Sequence, residues 1–243
     1  MNNKIAAVIL GAGKGTRMNS DLPKVMMEVA GKPMIKRIIE TLKKLKADQI
    51  VTVISQDGDL VKKEVAPYPT CVQFEQLGTA HAVNCAKDVL SGFDGAVLVI
   101  FGDTPLITGE TFMRSVQKIR EGYAVAVLGF KPDDPARYGR LIMENGELKK
   151  IVEYKDATDQ ERAVGFCNSG CMAFDGQYLF DILEKIGNQN ASGEYYLTDA
   201  IEVARKMGLK CTAIEGSQEE VASANTREEL ALLEKYIKEG NNA

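Results

Sequence analysis

The sequence predicts an α/β fold, a Rossmann-like doubly wound sheet of mostly parallel strands with a mixed β insertion. Three observations predict it. Short apolar runs rich in β-branched residues recur through the first 130 residues, and such runs indicate buried strands. Segments with helical periodicity separate them, and this alternation is typical of a parallel sheet covered on both faces. After residue 131 the pattern changes, because a hairpin and further strands and helices follow.

Five strands and four helices are predicted in the first half of the chain. The strands cover residues 6–11, 49–55, 71–76, 95–103 and 124–130. The helices cover residues 34–48, 57–66, 79–91 and 108–121. In the first helix Ile35, Ile38, Ile39, Leu42 and Leu45 form an apolar stripe, and lysines occupy the opposite face. Strand and helix therefore alternate throughout this half.

The second half carries the mixed insertion. Asn145 and Gly146 stand between two strand-like runs within residues 139–154, and this turn signal predicts a hairpin. Further elements are predicted as a strand at 164–174, helices near 176–187 and 195–207, a strand at 210–214 and a helix at 226–239. No repeat, low-complexity segment or linker is visible, so we expect one compact domain with a second lobe.

Composition limits the classes of function. The 243 residues carry a net charge of −4, which argues against a broad nucleic-acid surface. No apolar stretch approaches membrane-spanning length, so a cytoplasmic protein without a membrane partner is expected. The five cysteines lie in apolar surroundings, as is typical of free thiols in a reducing compartment. Cys167 and Cys171 lack the second pair that a zinc site needs, and we interpret them as structural. The sequence does not define the oligomeric state.

A glycine-rich loop follows the first predicted strand, in the stretch AAVILGAGKGTRMNSDLPK (residues 6–24). The dinucleotide fingerprint G-x-G-x-x-G does not fit, because counting from Gly11 places Thr16 where the third glycine should stand. The P-loop pattern does not fit either, because Lys14 precedes Gly15 instead of following it.

The same loop suits a different phosphate ligand. Gly11, Gly13 and Gly15 would expose backbone N–H groups and allow a phosphate chain to approach closely. Arg17 and Lys24 add positive charge on the same segment. Ligands of open α/β sheets bind beyond the carboxyl ends of the strands. We therefore expect the glycine loop to meet the loops that follow the third and fourth strands in one crevice.

The loop also resembles the signature of the nucleoside-diphosphate-sugar pyrophosphorylases, a family of nucleotidyltransferases. Further matching motifs, in the family's order, are QLGTAHAV (76–83), FGDTPL (101–106), YGR (138–140), IVEYKDA (151–157), CNSG (167–170), GEYYLTD (193–199) and ANTREEL (224–230). QLGTAHAV and GEYYLTD are the most specific, and they are similar to the uridylyltransferase domain of bacterial N-acetylglucosamine-1-phosphate uridylyltransferases. Two residues depart from the family pattern. Gly11 stands where the family usually has alanine, and Phe101 stands where it usually has tyrosine.

The resemblance implies an enzyme that transfers a uridylyl group from UTP to N-acetylglucosamine 1-phosphate. The products would be pyrophosphate and UDP-N-acetylglucosamine, a peptidoglycan precursor. A nucleotidyltransferase domain would cover residues 1–227, with a nucleotide part at about 1–130 and a sugar-binding part at about 131–227. Residues 228–243 would form a C-terminal helix and tail. The hexapeptide-repeat acetyltransferase domain of the bifunctional members is not expected in this chain.

The resemblance also assigns residues to roles. Arg17 and Lys24 would stabilise charge on the reacting phosphates, and Asp103 and Asn225 would hold Mg²⁺. The nucleotide would contact Leu10, Gly11, Ala12, Gly13, Gly15, Gln73, Gln76, Gly78 and Thr79. The sugar would contact Gly139, Glu153, Asn168, Tyr196 and Thr198. The sugar phosphate is itself a nucleophile near neutral pH, so no protein general base is required.

Several of these residues have other readings. An amide suits the alternating edge of uracil, but side chains alternate along the predicted strand 71–76, so one glutamine should reach the base. The resemblance selects Gln73, and Gln76 would then shape the loop. Asp103 could be a turn or cap residue, and Asn225 could cap a helix that begins at Thr226. His81, the single histidine, is interpreted as structural.

Alternative functions remain open at this point. The same chemistry could act on another hexose 1-phosphate, such as glucose 1-phosphate, or use another nucleoside triphosphate. A non-catalytic nucleotide-sugar sensor would be expected to have lost Arg17, Lys24 or Asp103, and all three are present. A redox enzyme that uses a dinucleotide is disfavoured by the glycine spacing.

Overall fold

The computed structural model describes residues 3–13 and 22–240. The strands are β1 (Ile5–Leu10), β2 (Glu28–Val29), β3 (Lys32–Pro33), β4 (Gln49–Ser55), β5 (Thr70–Gln73), β6 (Ala96–Phe101), β7 (Val125–Phe130), β8 (Arg140–Glu144), β9 (Glu147–Val152), β10 (Cys167–Asp175) and β11 (Cys211–Glu215). The helices are α1 (Met34–Lys44), α2 (Asp59–Val65), α3 (Thr79–Asn84), α4 (Gly109–Arg120), α5 (Asp159–Arg162), α6 (Gly176–Leu183), α7 (Ala200–Lys206) and α8 (Arg227–Gly240). Short 3₁₀ turns lie at Lys24–Met26 and Leu197–Asp199.

Within the described residues, nine strands form one mixed sheet. Seven of them follow the order β11-β7-β10-β6-β1-β4-β5, and the β8–β9 hairpin joins at β10. β10 runs antiparallel to both of its neighbours, β6 and β7, whereas the other neighbours along this path are parallel. The predicted mostly parallel sheet is confirmed. A strand from the second half of the chain lies in its middle.

Strands β1, β6 and β7 are buried on both faces along almost their whole length, which explains their apolar sequences. Along β1, Ala6 and Val8 belong to one core layer, and Ala7 and Ile9 belong to the layer on the opposite face. This division follows from the two-residue periodicity of a strand. A third, smaller cluster packs α8 against the β2–β3 hairpin. That packing brings the start of α8 close to the ends of the central strands.

The structure differs from the predicted element bounds at several places. The strand predicted over 71–76 ends at Gln73, and the next residue, Phe74, is 70% exposed. The helix predicted over 79–91 ends at Asn84. The β2–β3 hairpin and α5 were not predicted, because elements of two to four residues show no usable periodicity. In the described part of the chain, no helix is both long and apolar enough to cross a membrane.

Candidate active site

Two adjoining clefts open at the carboxyl ends of β1, β5 and β6. Their volumes are about 390 Å³ and 400 Å³, within the range of small-molecule sites. The first cleft is lined by Leu10, Ala12, Gly13, Lys24, Val25, Gln73, Gln76, Gly78, Thr79, Ala82, Phe101, Asp103, Glu194 and Asn225. The second is lined by Thr79, Phe101, Arg137, Tyr138, Gly139, Glu153, Tyr154, Lys155, Asn168, Ser169, Gly170, Met172, Glu194, Tyr196, Leu197 and Thr198. Thr79, Phe101 and Glu194 line both clefts, so one ligand can extend from one to the other.

Lys24 joins two distant parts of the chain in the first cleft. Its Nζ forms a salt bridge with Asp103 and donates a hydrogen bond of 2.7 Å to Oδ1 of Asn225. The side chains of Lys24 and Asp103 are only 13% and 18% exposed, so water screens this pair poorly. A carboxylate oxygen and an amide oxygen therefore converge on a single cationic atom.

The start of α8 orients Asn225. The Thr226 side chain accepts a hydrogen bond from the Glu229 N–H, and the Glu229 carboxylate accepts one from the Thr226 N–H, both at 3.2 Å. This reciprocal pair is a capping box with Thr226 at the N-cap. Glu229 also accepts from the backbone N–H of Asn225. The alternative reading of Asn225 as the helix cap is wrong, and its side chain extends to Lys24 instead.

The loop after β6 presents Asp103. The Gly102 N–H donates to the Leu10 carbonyl at 2.9 Å, so this turn is held against the end of β1. The cap of α4 is Thr108, whose side chain accepts from the Thr111 N–H. Asp103 therefore does not cap that helix, and its carboxylate lines the first cleft.

The glycine loop meets the first cleft through Leu10, Ala12 and Gly13. Gly11 does not line it. The Gly11 N–H donates to the Val53 carbonyl on β4 at 2.8 Å, so the prediction that this group is exposed to phosphate is wrong. A Cβ at Gly11 would lie 3.2 Å from the same carbonyl oxygen, which makes the alanine of the family pattern a tight fit here. Gly15 and Arg17 lie outside the described residues.

The two glutamines hold the loop after β5 from both sides. Gln73 is buried, and its amide nitrogen donates to the Gly78 carbonyl and lies 3.1 Å from Nδ1 of His81. Gln76 donates to the Ala12 carbonyl at 2.6 Å, which connects this loop to the glycine loop. Both glutamines line the first cleft, whereas His81 lines neither cleft. His81 supports Gln73 from behind.

Glu153 is one of two acidic residues that line the second cleft, the other being Glu194. Thr198 donates a hydrogen bond of 3.3 Å to Oε1 of Glu153. Burial raises the pKa of the Glu153 carboxyl above its ordinary value, and the nearby Asp156 and Asp199 raise that pKa further. The Thr198 hydrogen bond acts in the opposite direction. A carboxyl group that is poorly hydrated in this way is suited to accept hydrogen bonds from hydroxyl groups of a ligand.

A bulge in β10 shapes the opposite wall. The strand register shifts between Asn168 and Met172, and the Asn168 side-chain oxygen accepts from the Gly170 N–H at 2.9 Å. The amide NH₂ of Asn168 is thereby left as a donor group at the cleft. A Cβ at Gly170 would lie 2.4 Å from the Phe101 ring, so the bulge and the shared wall residue pack in direct contact.

Arg140 organises the loop that carries Gly139. The Arg140 side chain is almost fully buried, with 2% of its surface exposed. Its guanidinium donates to the carbonyls of Pro135, Ala136, Tyr138 and Arg162. Four acceptors from two segments thus converge on one planar fork. The Gly139 carbonyl accepts from the Asn168 N–H at 2.8 Å, which joins this loop to β10.

The structure brings the described candidate residues together, with Gly11 as the exception. The other described residues that were assigned to nucleotide binding, charge stabilisation or metal binding all line the first cleft. All five residues that were assigned to the sugar line the second cleft. Sequence reasoning missed Glu194, Tyr138, Tyr154, Arg137 and Lys155. Each lies inside, or next to, a motif that had been noticed, so adjacency to YGR, IVEYKDA and GEYYLTD was the available signal.

A mostly parallel α/β sheet with a glycine loop, a basic group and a carboxylate at its carboxyl edge defines a nucleotide-handling protein. The chain belongs to the family of the MobA-like NTP transferase domain, whose model matches residues 7–164. It is 53% identical over 236 residues to the bifunctional protein GlmU of Rhodospirillum rubrum, covering 96% of this chain and 53% of the relative. Identity to GlmU of Paramagnetospirillum magneticum is 49% over 238 residues, again with 53% of the relative covered.

The chain therefore spans about half the length of the curated relatives it matches. A solved structure of a UDP-glucose pyrophosphorylase with bound UDP-glucose has a TM-score of 0.76 to this chain at 16% identity. The aligned region covers 98% of this chain and 100% of the pyrophosphorylase chain. This likeness shows the same fold.

Proposed function

We propose that the chain transfers a uridylyl group from UTP to N-acetylglucosamine 1-phosphate and releases pyrophosphate. The observation that carries the proposal is the pair of adjoining clefts, which share Thr79, Phe101 and Glu194. One cleft holds the positive charge and the carboxylate that a triphosphate and its metal need. The other is built around Glu153 and Asn168, an acceptor and a donor for a sugar. The expected partners are these small-molecule substrates, and a cytoplasmic location is consistent with them.

The base is assigned to the first cleft between the glycine loop and the loop after β5. The Gln73 amide is held by Gly78 and His81, so it does not lose side-chain freedom when a ligand arrives. The exposed Gln76 is bound to Ala12, which suits a loop-shaping role. We therefore keep Gln73 as the reader of the uracil edge, with the backbone at Gly78 and Thr79 closing against the ring.

Magnesium is assigned to Asp103 and Asn225. Both contribute oxygen atoms, the ligands that Mg²⁺ prefers, and both oxygens lie within bonding distance of the same atom, Lys24 Nζ. In the described part of the chain, no three His, Cys, Asp or Glu side chains converge on a metal position. This suits Mg²⁺, which commonly keeps waters and takes further oxygens from substrate phosphates. The ion would supply charge neutralisation on the triphosphate.

The chain's own residues orient the reactants. Lys24 would turn from Asp103 to the phosphates and stabilise the charge that develops there. Arg17 is proposed for the departing pyrophosphate on the resemblance alone. In the second cleft Glu153 would accept from sugar hydroxyls, the Asn168 amide would donate to the sugar, and Gly139 would allow close approach. An oxygen of the sugar phosphate would then attack the α-phosphorus of UTP in line with the leaving pyrophosphate.

The test is a coupled assay of pyrophosphate release. Four nucleoside triphosphates are crossed with N-acetylglucosamine 1-phosphate and glucose 1-phosphate, and the nucleotide sugars are identified by mass spectrometry. The proposal predicts the highest kcat/KM for UTP with N-acetylglucosamine 1-phosphate, and no release without a divalent ion. A preference for glucose 1-phosphate would replace the proposed sugar. Tight nucleotide binding without turnover of any pair would overturn the enzymatic function.

A further inference from the structure

Two loops from opposite halves of the chain are joined at the boundary between the clefts. The base loop is defined as residues 76–80, after β5, and the sugar loop as residues 194–198, before α7. The Tyr195 N–H donates to the Leu77 carbonyl at 2.8 Å, and the Tyr195 carbonyl accepts from the Ala80 N–H at 2.9 Å. These two bonds make a short backbone ladder between segments that carry different candidate subsites.

Gly78 allows the two backbones to approach this closely. Its φ of +119° is a conformation that side-chain-bearing residues rarely adopt. A Cβ at this position would lie 2.5 Å from the Tyr195 carbonyl oxygen and 2.7 Å from the Tyr195 nitrogen. Gly78 is therefore required for the contact between the loops, whether or not it also touches a ligand.

The Thr79 side chain makes the next connection. Its Oγ1 accepts a hydrogen bond of 2.9 Å from the backbone N–H of Leu197, 118 positions away in sequence. Leu197 begins a 3₁₀ turn and is 2% exposed. The N–H groups at the start of a helical turn have no partner inside the turn. Thr79 supplies that partner for Leu197.

The turn that Thr79 holds carries a group of the second cleft. Thr198, the residue after Leu197, donates to Glu153 at 3.3 Å. A continuous path of contacts thus runs from the Thr79 hydroxyl through the 197–198 backbone to the Glu153 carboxylate. Thr79 belongs to the base loop by sequence, but its side chain orients residues of the sugar loop.

We infer that Thr79 is a positioning residue for the sugar phosphate, acting through Leu197 and Thr198 on Glu153. This inference rests on the proposed function, because it concerns the second substrate of the same site. The Thr79 backbone remains available to the nucleotide, since the hydroxyl alone makes this contact. Losing the hydroxyl should therefore weaken binding of the sugar phosphate and leave binding of UTP nearly unchanged.

The experiment compares Thr79→Val, Thr79→Ser and Thr52→Val with the wild-type protein. Valine keeps the shape of threonine and removes the acceptor, whereas serine keeps the acceptor. Thr52 is a matched control, because it is fully buried in β4 and its hydroxyl has no hydrogen-bond partner in the described residues. The measurements are KM and kcat for the sugar phosphate, the Kd of UTP by calorimetry, and Tm.

The inference predicts a KM for the sugar phosphate about tenfold higher in Thr79→Val, because the Leu197 N–H loses its acceptor and the 197–198 turn no longer holds Glu153 in place; tenfold corresponds to about 1.4 kcal/mol of binding. The Kd of UTP should stay within about twofold, and Thr79→Ser should restore KM to within about threefold of wild type. If Thr79→Val does not fold, Thr79→Ala is compared with Thr79→Ser by the same criteria. Equal KM in the valine and serine variants, or equal losses for UTP and sugar phosphate, would overturn the inference.

The two proposals fail in distinguishable ways. Each assay uses the sugar 1-phosphate that the wild-type protein accepts best, so a different sugar would correct the proposed function and leave the Thr79 test intact. A wild-type protein without turnover would overturn the proposed function itself. An active wild-type protein with an unchanged Thr79→Val KM would overturn the inference alone.

Discussion

Replacing Lys24 with methionine should tighten the binding of a divalent ion to the nucleotide-free protein. The Lys24 ammonium contacts both oxygens assigned to the metal, one on Asp103 and one on Asn225. An ion that takes the Asp103 oxygen must first break the lysine contact. A hydrogen bond to a charged group is worth about 1.5–3 kcal/mol. At about 1.4 kcal/mol per tenfold, its removal should lower the metal Kd by roughly 10- to 150-fold.

The assay is a titration with Mn²⁺, in which electron paramagnetic resonance reports the free ion and Mg²⁺ is added as competitor. Lys32→Met is the matched control, because Lys32 also forms a salt bridge, with Glu40, but away from the clefts. It should leave the metal Kd unchanged. The Lys24→Met protein should at the same time lose turnover by about 10²–10³-fold, as for other lost charge stabilisers. A Lys24→Met protein that binds Mn²⁺ no more tightly than wild type would refute the reasoning.

Three further outcomes are expected. Asp103→Ala should abolish turnover at saturating Mg²⁺ with an unchanged circular dichroism spectrum, and near-normal activity would exclude its metal role. Burial raises the pKa of the Glu153 carboxyl in the folded protein. The protonated carboxyl therefore favours folding relative to the ionised one, and this stability is lost as the pH rises through the raised pKa. Glu153→Gln should therefore raise Tm at pH 8 and lose this advantage near pH 4, while raising the KM for the sugar phosphate; an equal Tm difference at both pH values would contradict this. Arg140→Lys should lose about 2 kcal/mol of stability, a Tm drop of roughly 4–8 °C, because an ammonium cannot reach the four carbonyls that the guanidinium bonds. At about 2–4 °C per kcal/mol, a Tm within 1–2 °C of wild type in a thermal scan would show that those bonds contribute little to stability.

Strands β1, β4, β6 and β7 were predictable because most of their residues are buried on both faces of the sheet. A short run rich in β-branched residues such as QIVTVIS indicates a strand, and β4 has the predicted bounds, Gln49–Ser55. The position of β10 between β6 and β7 was not predictable. A local pattern sets the conformation of a segment, whereas strand order depends on contacts between distant parts of the chain. The end of β5 was misplaced because Phe74 continued the apolar pattern, although its ring is exposed.

The sequence predicted which residues belong to the candidate site better than it predicted which of them contact one another. Lys24, Asp103 and Asn225 were each identified, but their convergence spans 79 and 201 positions and is a tertiary property. The sequence did contain the signal that places the helix cap at Thr226 instead of Asn225, since Thr226 and Glu229 have the spacing of a capping box. Gly11 was misread because a glycine next to a phosphate loop also serves close packing, here against Val53.

The most direct test of the central claim follows the oxygen atoms of the sugar phosphate. N-acetylglucosamine 1-phosphate is prepared with ¹⁸O at the non-bridging positions of its phosphate and is incubated with UTP, Mg²⁺ and the protein. If a sugar-phosphate oxygen attacks the α-phosphorus across the two clefts, all of the label appears in UDP-N-acetylglucosamine and none in pyrophosphate. Label in the pyrophosphate, or no labelled nucleotide sugar at all, would contradict the account.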